Sequence, residues 1–499
     1  MTAVETLLAK WADVTALGAA AAVLGWDQET KMPPKGQASR GHALSVLAGL
    51  HHDKLTDPAL ADAIEEAAAA VGDDETLAAQ VREARRDVVR ARAVPGELAR
   101  RLAETQSRSL GVWQQAKADD DFATFEPVLA EIIALTKEEA AALVAAGVAP
   151  QPYDALLDGY EPGATEAELA PLLTDLRDDL APLVKAVAAG DVEIDESPVL
   201  GHFPRADQRE FGVMVATALG YDFEAGRLDE SAHPFTTGFG RGDVRITWRA
   251  ELDDARPGLF GIMHEAGHAM YEQGLPAEHA GTPIGAAVSL GVHESQSRLW
   301  ENQVGRSKEF WNWALPRYHD RFPDKRDVTV DAMHRALHTV TPSLVRVEAD
   351  EATYNLHIVA RFEIERQIMR GDVAVSELPE LWANTYQELL GVRPTSASDG
   401  VLQDIHWAMG AIGYFPTYTL GNLIAAQLFD AATRQIDDLP GRISAGDFAP
   451  LLGWLRTNVH QHGRLLTADE IVERATGRPL SSRPFLDGLS ATIAEVYGH

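Results

Sequence analysis

Helix-period repeats of apolar residues run through almost the whole chain. ETLLAKWADVTALGAAAAVLGW (5–26), the Ala/Glu/Arg-rich stretch 61–95 and FEPVLAEIIALTKEEAAALVAAG (125–147) each set apolar side chains three and four residues apart. That spacing lines one face of a helix, whereas a strand alternates faces every residue. Turn-forming clusters divide the pattern at PPKG (33–36), GDDE (72–75) and GYEPGATE (159–166), and Thr165 with Glu168 reads as a capping box opening the next helix. Residues 1 to about 200 are therefore expected to be helical. The texture changes once, in SAHPFTTGFGRGDVRITWRAEL (231–252), where VRITW alternates as a strand does. The helical pattern then resumes to the end, interrupted by GAIGYFPTYTLGN (410–422). The expected fold is mainly α, with one small antiparallel β-ribbon beside the segment that follows it. No linker composition marks a boundary, so 1–499 is expected to be one domain, with a helical region 1–200 and a second region 201–499.

Composition narrows the function. Apolar content of 45% and charged content of 24% are those of a soluble globular protein. With 44 Lys+Arg against 75 Asp+Glu, the net charge of −31 repels phosphate backbones and anionic lipid surfaces, so neither nucleic acid nor membrane is an expected partner. There is no cysteine. Disulfides, thiol nucleophiles and cysteine-ligated metals are excluded, and any metal must be held by His and carboxylate. A cytoplasmic location fits this. VTALGAAAAVLGW (14–26) looks superficially like a signal-peptide core, but Glu5 and Asp13 precede it and no small-residue cleavage site follows. It is also short for a bilayer span and is expected to be a buried, Ala-rich helix face.

GLFGIMHEAGHAMYEQG (258–274) carries the chemistry. Leu259, Ile262, Met263, Ala266, Ala269 and Met270 form an apolar stripe, and His264 and His268 sit one turn apart on one side, where both imidazoles reach a single ion. Glu265 lies round the axis, placed to meet a water at that ion without binding the ion itself. The bland alternative is a pair of satisfied core histidines, which would need buried partners. A third ligand is required. A metzincin would have Gly at 271 and His at 274, where this chain has Tyr271 and Gly274. Glu272 is a turn too far along to share an ion with His264. The next segment, AAVSLGVHESQSRLWENQVG (286–305), offers Glu294 and its competitor Glu301; Arg298 stands where a thermolysin-type site has Asp. Spacing alone leaves the two glutamates open.

Further motifs occur in a fixed order: WDQETKMPP (26–34), HPF (233–235), DVRIT (243–247), HEAGH (264–268), HESQS (293–297), VRVEAD (345–350), GVLQDIHW (400–407) and GYFPTYTLGN (413–422). In these the chain resembles the carboxypeptidase Taq family of zinc metallocarboxypeptidases across nearly its full length. The resemblance implies a helical, cleft-shaped fold like those of neurolysin and angiotensin-converting enzyme, with residues 1–200 as a wall of the cleft. It also implies a homodimer that releases single amino acids from the C-termini of peptides. Carried over residue by residue, it makes His264, His268 and Glu294 the Zn2+ ligands, choosing Glu294 over Glu301, and Glu265 the general base. Co2+ or Mn2+ could substitute, since such ligand sets accept several divalent ions. The first position of VRVEAD is Val345, a departure that leaves Arg346 in place.

Such a reaction needs more than the metal and its base. A cation with an open coordination position lowers the pKa of water toward neutrality, and the developing oxyanion needs a further donor. His406 and Tyr418, in Gly- and aromatic-rich motifs, are the candidates, against the alternative that each is a packed core residue. An exopeptidase must grip a terminal carboxylate, for which the arginine fork is matched. Arg346 is preferred and Arg245 second; either could instead be a structural ion pair, with Asp350 or Asp243 as ready partners. Those aspartates could alternatively orient a ligand imidazole. His293 is expected beside the ligands rather than among them, and His233 either lines the substrate site or caps a strand. Two other readings are an oligoendopeptidase or dipeptidyl carboxypeptidase with the same helical site, and a binding scaffold that has lost activity.

Overall fold

The computed structural model describes residues 2–498 and is mainly helical, as the periodicity predicts. The chain forms two compact units, each built from three segments. The first comprises Met1–Ala91, Ile194–Leu337 and Ile424–Leu480; the second comprises Arg92–Glu193, His338–Leu423 and Ser481–His499. Residues 1–91 group with the region that carries HEAGH. Two of the changes of unit fall inside continuous helices, Glu75–Ala93 and Pro416–Gln435. Linker composition has no reason to occur there.

The first unit opens with α1 (Ala3–Thr30), capped by a reciprocal box in which Thr2 Oγ1 accepts from the Glu5 N–H and Glu5 accepts from the Thr2 N–H. α1 packs on α2 (Gln37–Leu55) and α3 (Pro58–Ala68), its Leu7 and Trp11 sharing a core with Leu60, Ala63 and Ile64. The expected burial of the Ala-rich run does not hold: Ala19, Ala21 and Ala22 are half-buried and Ala20 is exposed. Alanine is the strongest helix former, so such a run holds its shape without a core to bury in. At 28 residues, with a window of mean hydropathy 1.5, α1 is by length and composition long and apolar enough to cross a membrane, which the run 14–26 alone is not.

The sheet sits against the HEAGH segment. β2 (Thr236–Gly238) and β3 (Val244–Trp248) pair antiparallel, Thr236 opposite Ile246, giving the expected ribbon. A third strand, β1 (Leu228–Glu230), adds parallel on the far side of β3. Three residues are too few to show a period of two, so it left no trace in the sequence pattern. β3 is the central strand, and Val244, Ile246 and Trp248 are buried. It packs on the following helix, which fixes the register of β2 along that helix's polar edge.

Candidate functional site

The motif helix spans Ala255–Gly274, begun by Asp254, whose carboxylate accepts from the Arg256 N–H at 2.8 Å. His264 and His268 fall one turn apart, ring centroids 4.8 Å from each other. A return helix, Leu290–Arg298, starts at Ser289, whose hydroxyl accepts from the Val292 N–H. Its first turns carry Glu294, with Oε2 at 3.6 Å from His264 Nε2 and 3.4 Å from His268 Nε2. The three donor atoms lie within 4.8 Å of one another. Two imidazole nitrogens and one carboxylate oxygen converging in this way form a donor set suited to a divalent cation such as zinc.

Glycine makes the convergence possible. A Cβ on Gly267 would lie 2.5 Å from the Gln296 carbonyl oxygen and 2.6 Å from Ser297 Cα, so the two helices touch backbone to backbone at the motif's fourth position. Gly267→Ala is expected to push the return helix off the motif helix. We expect a loss of about 1–3 kcal/mol of stability and weaker metal binding, read by thermal unfolding and by metal titration; wild-type values in both would show that the contact is not needed.

Each imidazole of the cluster is oriented through its other nitrogen. The return helix passes into a π-helical turn at Leu299–Val304, with Gly305 N–H bonded to the Trp300 carbonyl. Glu301 on this turn is 2.8 Å from His264 Nδ1 and also receives Arg298 Nη1 at 3.2 Å and Arg306 Nη2 at 3.4 Å. Thus Glu294 and Glu301 flank opposite sides of the same imidazole. His268 Nδ1 meets His293 Nδ1 at 2.6 Å, and His293 Nε2 meets Glu272 at 2.9 Å. These contacts hold both Nε2 atoms toward Glu294, the arrangement that second-sphere partners provide for metal-binding histidines. Arg298 binds Glu294 Oε1 at 2.7 Å. Burial raises the pKa of Glu294, but Arg298 and the two histidines outweigh it and hold the group well below the ordinary carboxylate range. Glu301 is likewise drawn down, to about 2, against its burial.

Glu265 is buried beside this cluster, and its carboxylate accepts the Thr236 hydroxyl at 2.6 Å. Burial pushes its pKa up, while His264 and Thr236 pull against that. Thr236 was not singled out in the sequence; its place directly after HPF, on the strand that packs along the motif helix, is the only signal it carries.

Asp243 and Asp350 do not orient an imidazole. Asp243 makes a bidentate pair with Arg245, 2.7 Å in both contacts, and Arg245 stacks over Trp26 at 4.3 Å and Phe239 at 4.9 Å. Asp350 instead caps the helix Glu351–Arg370, accepting from the Thr353 N–H, and takes the Thr341 N–H as well. His233 is exposed, and its carbonyl accepts the Ser231 hydroxyl.

In the second unit, Arg346 is buried and pairs not with Asp350 but with Asp404, 58 residues away, at 2.8 Å through Nη2. Its Nη1 donates to the Tyr354 hydroxyl at 3.0 Å, and its guanidinium lies 4.9 Å from the Tyr418 ring. His406 Nε2 is 3.3 Å from the Tyr418 hydroxyl. Burial, with Arg346 and Arg361 nearby, draws the His406 pKa down to about 4 against the pull of Asp404, so this imidazole is neutral at pH 7.

Residues 6–493 match the family described as carboxypeptidase Taq (M32) metallopeptidase. The chain belongs to this family. It is 46% identical over 505 residues to thermostable carboxypeptidase 1 of Thermus thermophilus, covering 99% of each chain. It is 39% identical to thermostable carboxypeptidase 1 of Pyrococcus furiosus, covering 97% of each. Among solved structures, the M32 carboxypeptidase from Deinococcus radiodurans superposes with a TM-score of 0.95 at 40% identity, over 100% of both chains. The protein is a metallocarboxypeptidase, a hydrolase of peptides that depends on a divalent metal, and the His264, His268 and Glu294 cluster fits such an ion.

Proposed function

We propose that this metallocarboxypeptidase releases single C-terminal amino acids with Zn2+ held by His264, His268 and Glu294, Co2+ or Mn2+ serving as substitutes. The observation that carries the reading is the trio of ligand atoms within 4.8 Å of each other, beside a buried acid that does not belong to the trio. A bound cation supplies Lewis acidity, polarising the scissile carbonyl and acidifying water. Glu265 takes the proton from the attacking water and returns it to the leaving amine, and Thr236 steers its carboxylate. The neutral imidazole of His406 and the Tyr418 hydroxyl donate to the oxyanion. Arg346 receives the substrate's terminal carboxylate; Arg245, already paired with Asp243 and stacked on two rings, keeps only the secondary claim. His233 contributes at the substrate side.

We further propose a cytoplasmic homodimer with no nucleic-acid or membrane partner. The exposed apolar side chains Val46 and Leu50 on α2 support self-association, the absence of cysteine supports a reducing compartment, and the net charge of −31 disfavours anionic partners.

The test pairs elemental analysis with mass-spectrometric sampling of one defined peptide as free acid and as C-terminal amide. Stoichiometric zinc and a ladder of one-residue losses from the free acid alone are expected. Dipeptide release, or internal cleavage of the amide, would assign the oligoendopeptidase or dipeptidyl carboxypeptidase activity instead.

A further inference from the structure

Two arginines of the second unit share one carboxylate, and their hydrogen-bond inventories differ. Arg361, on the helix Glu351–Arg370, is fully buried. Its Nε donates to Asp404 Oδ2 at 2.7 Å and its Nη1 to the His357 carbonyl and the Tyr386 hydroxyl at 2.7 and 2.9 Å. Its Nη2 reaches Gln403 Oε1 at 2.8 Å and Asp404 Oδ2 at 2.5 Å. Four of its N–H groups donate hydrogen bonds, and the nitrogen that carries the fifth is in ion-pair contact with Asp404. Arg346 is different. Nε and Nη2 both point to Asp404 Oδ1, at 3.1 and 2.8 Å, and Nη1 takes Tyr354. One N–H on each of Nη1 and Nη2 has no partner among the described residues, and this is the pair that an arginine presents to a planar anion.

The charges are uneven in the same sense. Asp404 is the single carboxylate serving two guanidinium groups, and burial, which raises its pKa, is overcome by those two cations. The other titratable neighbours add no anion at Arg346. His357 and His406 are both held neutral, chiefly by burial, and burial raises the pKa of the Tyr386 hydroxyl. Glu365, a turn beyond Arg361, spends its oxygens on the Tyr153 hydroxyl, the Trp407 indole N–H and the Gly413 N–H. A buried guanidinium with half of its counter-charge drawn off by a neighbour is set to accept a second anion.

We infer that Asp404 and Arg361 act as a positioning pair. Asp404 fixes the plane of Arg346, and Arg361 holds Asp404 while withdrawing its charge, so that the remaining fork of Arg346 selects a substrate end that is a carboxylate rather than an amide. This rests on the reading of Arg346 as the carboxylate receptor. The pair touches no substrate itself; it acts through Arg346.

The experiment is calorimetric titration of the intact protein with 3-phenylpropionate, and with its amide as control, alongside steady-state kinetics on a free-acid peptide. Wild type is compared with Arg346→Lys, Asp404→Asn and Arg361→Lys, the last keeping the charge but losing the fork. All three variants are expected to weaken carboxylate binding by about tenfold or more, to leave binding of the amide unchanged, and to place the kinetic loss on KM rather than kcat. Unfolding curves verify that each variant is folded, and Arg361→Lys decides the matter if Asp404→Asn does not fold. Weakening by Arg346→Lys, with wild-type affinity in the folded pair variants, would reduce Asp404 and Arg361 to a structural ion cluster. Wild-type affinity in Arg346→Lys as well would remove the carboxylate-receptor reading itself. A loss confined to kcat would overturn the positioning role.

Discussion

Glu265→Gln is expected to lower kcat by about 10³-fold, within the range that general acid–base groups contribute, while the protein keeps its full metal content. The substitution preserves shape and removes only the ability to take and return a proton. Anchoring survives it, because the Thr236 hydroxyl contacts the Glu265 backbone carbonyl at 2.9 Å as well as the side chain, and the carboxamide oxygen still accepts. The proposed ligand atoms belong to other residues, each oriented by its own partner: Glu301 for His264, His293 for His268, Arg298 for Glu294. Turnover and metal content should therefore separate. Activity assays with elemental analysis of the same preparation read both. A parallel fall in metal would mean that Glu265 holds the ion, and the proton-transfer role would pass elsewhere.

The separation shows why part of this site was legible and part was not. HEAGH could be read from spacing because an interval of four on one helix fixes geometry locally. What spacing could not decide was Glu294 against Glu301, seven residues and about two turns apart. Both turn out to face His264, one at each ring nitrogen, and the π-helical turn at 299–304 gives Glu301 that aim. An inserted residue in a helical ladder has no signature in apolar period. The orienting contacts were missed for a related reason. They run between helices, and the distance between those helices is set by the backbone contact at Gly267, which a sequence shows only as a small residue in a motif.

Arg346 gives the same lesson over a longer range. Its partner was sought four residues away in Asp350, yet Asp350 is occupied as a helix cap and the pairing is with Asp404. Local reasoning finds caps and ion pairs equally plausible for an aspartate, and only the fold says which demand wins. The helical class was legible from end to end. The grouping of residues 1–91 with the HEAGH region was not, because periodicity reports which face of a helix is apolar and nothing about which segment meets it.

Glu294→Gln carries the second large effect: metal affinity is expected to fall by more than about 100-fold, beyond the range seen on removing an orienting partner, and activity at stoichiometric metal should vanish. Two neutral imidazoles would remain, with a carboxamide where the only anionic ligand had been. Gln is the better probe than Ala here. Its oxygen keeps a partner for Arg298 Nε, whereas Glu294→Ala would remove that hydrogen bond inside the protein, so that lost folding would blur lost binding. Glu301→Ala makes the comparison sharp. Glu301 is 2.8 Å from His264 Nδ1 and therefore matters to metal affinity without supplying a ligand atom, so a loss of about 10–100-fold is expected, recoverable with excess metal. The family resemblance chooses Glu294 and gives Glu301 no part; its contact with the imidazole predicts an intermediate effect. Competition against a chromogenic chelator orders the three proteins directly. Wild type should bind most tightly, Glu301→Ala next and Glu294→Gln least. If the last two change places, Glu301 is the third ligand and the arrangement of the two helices around the ion has to be redrawn.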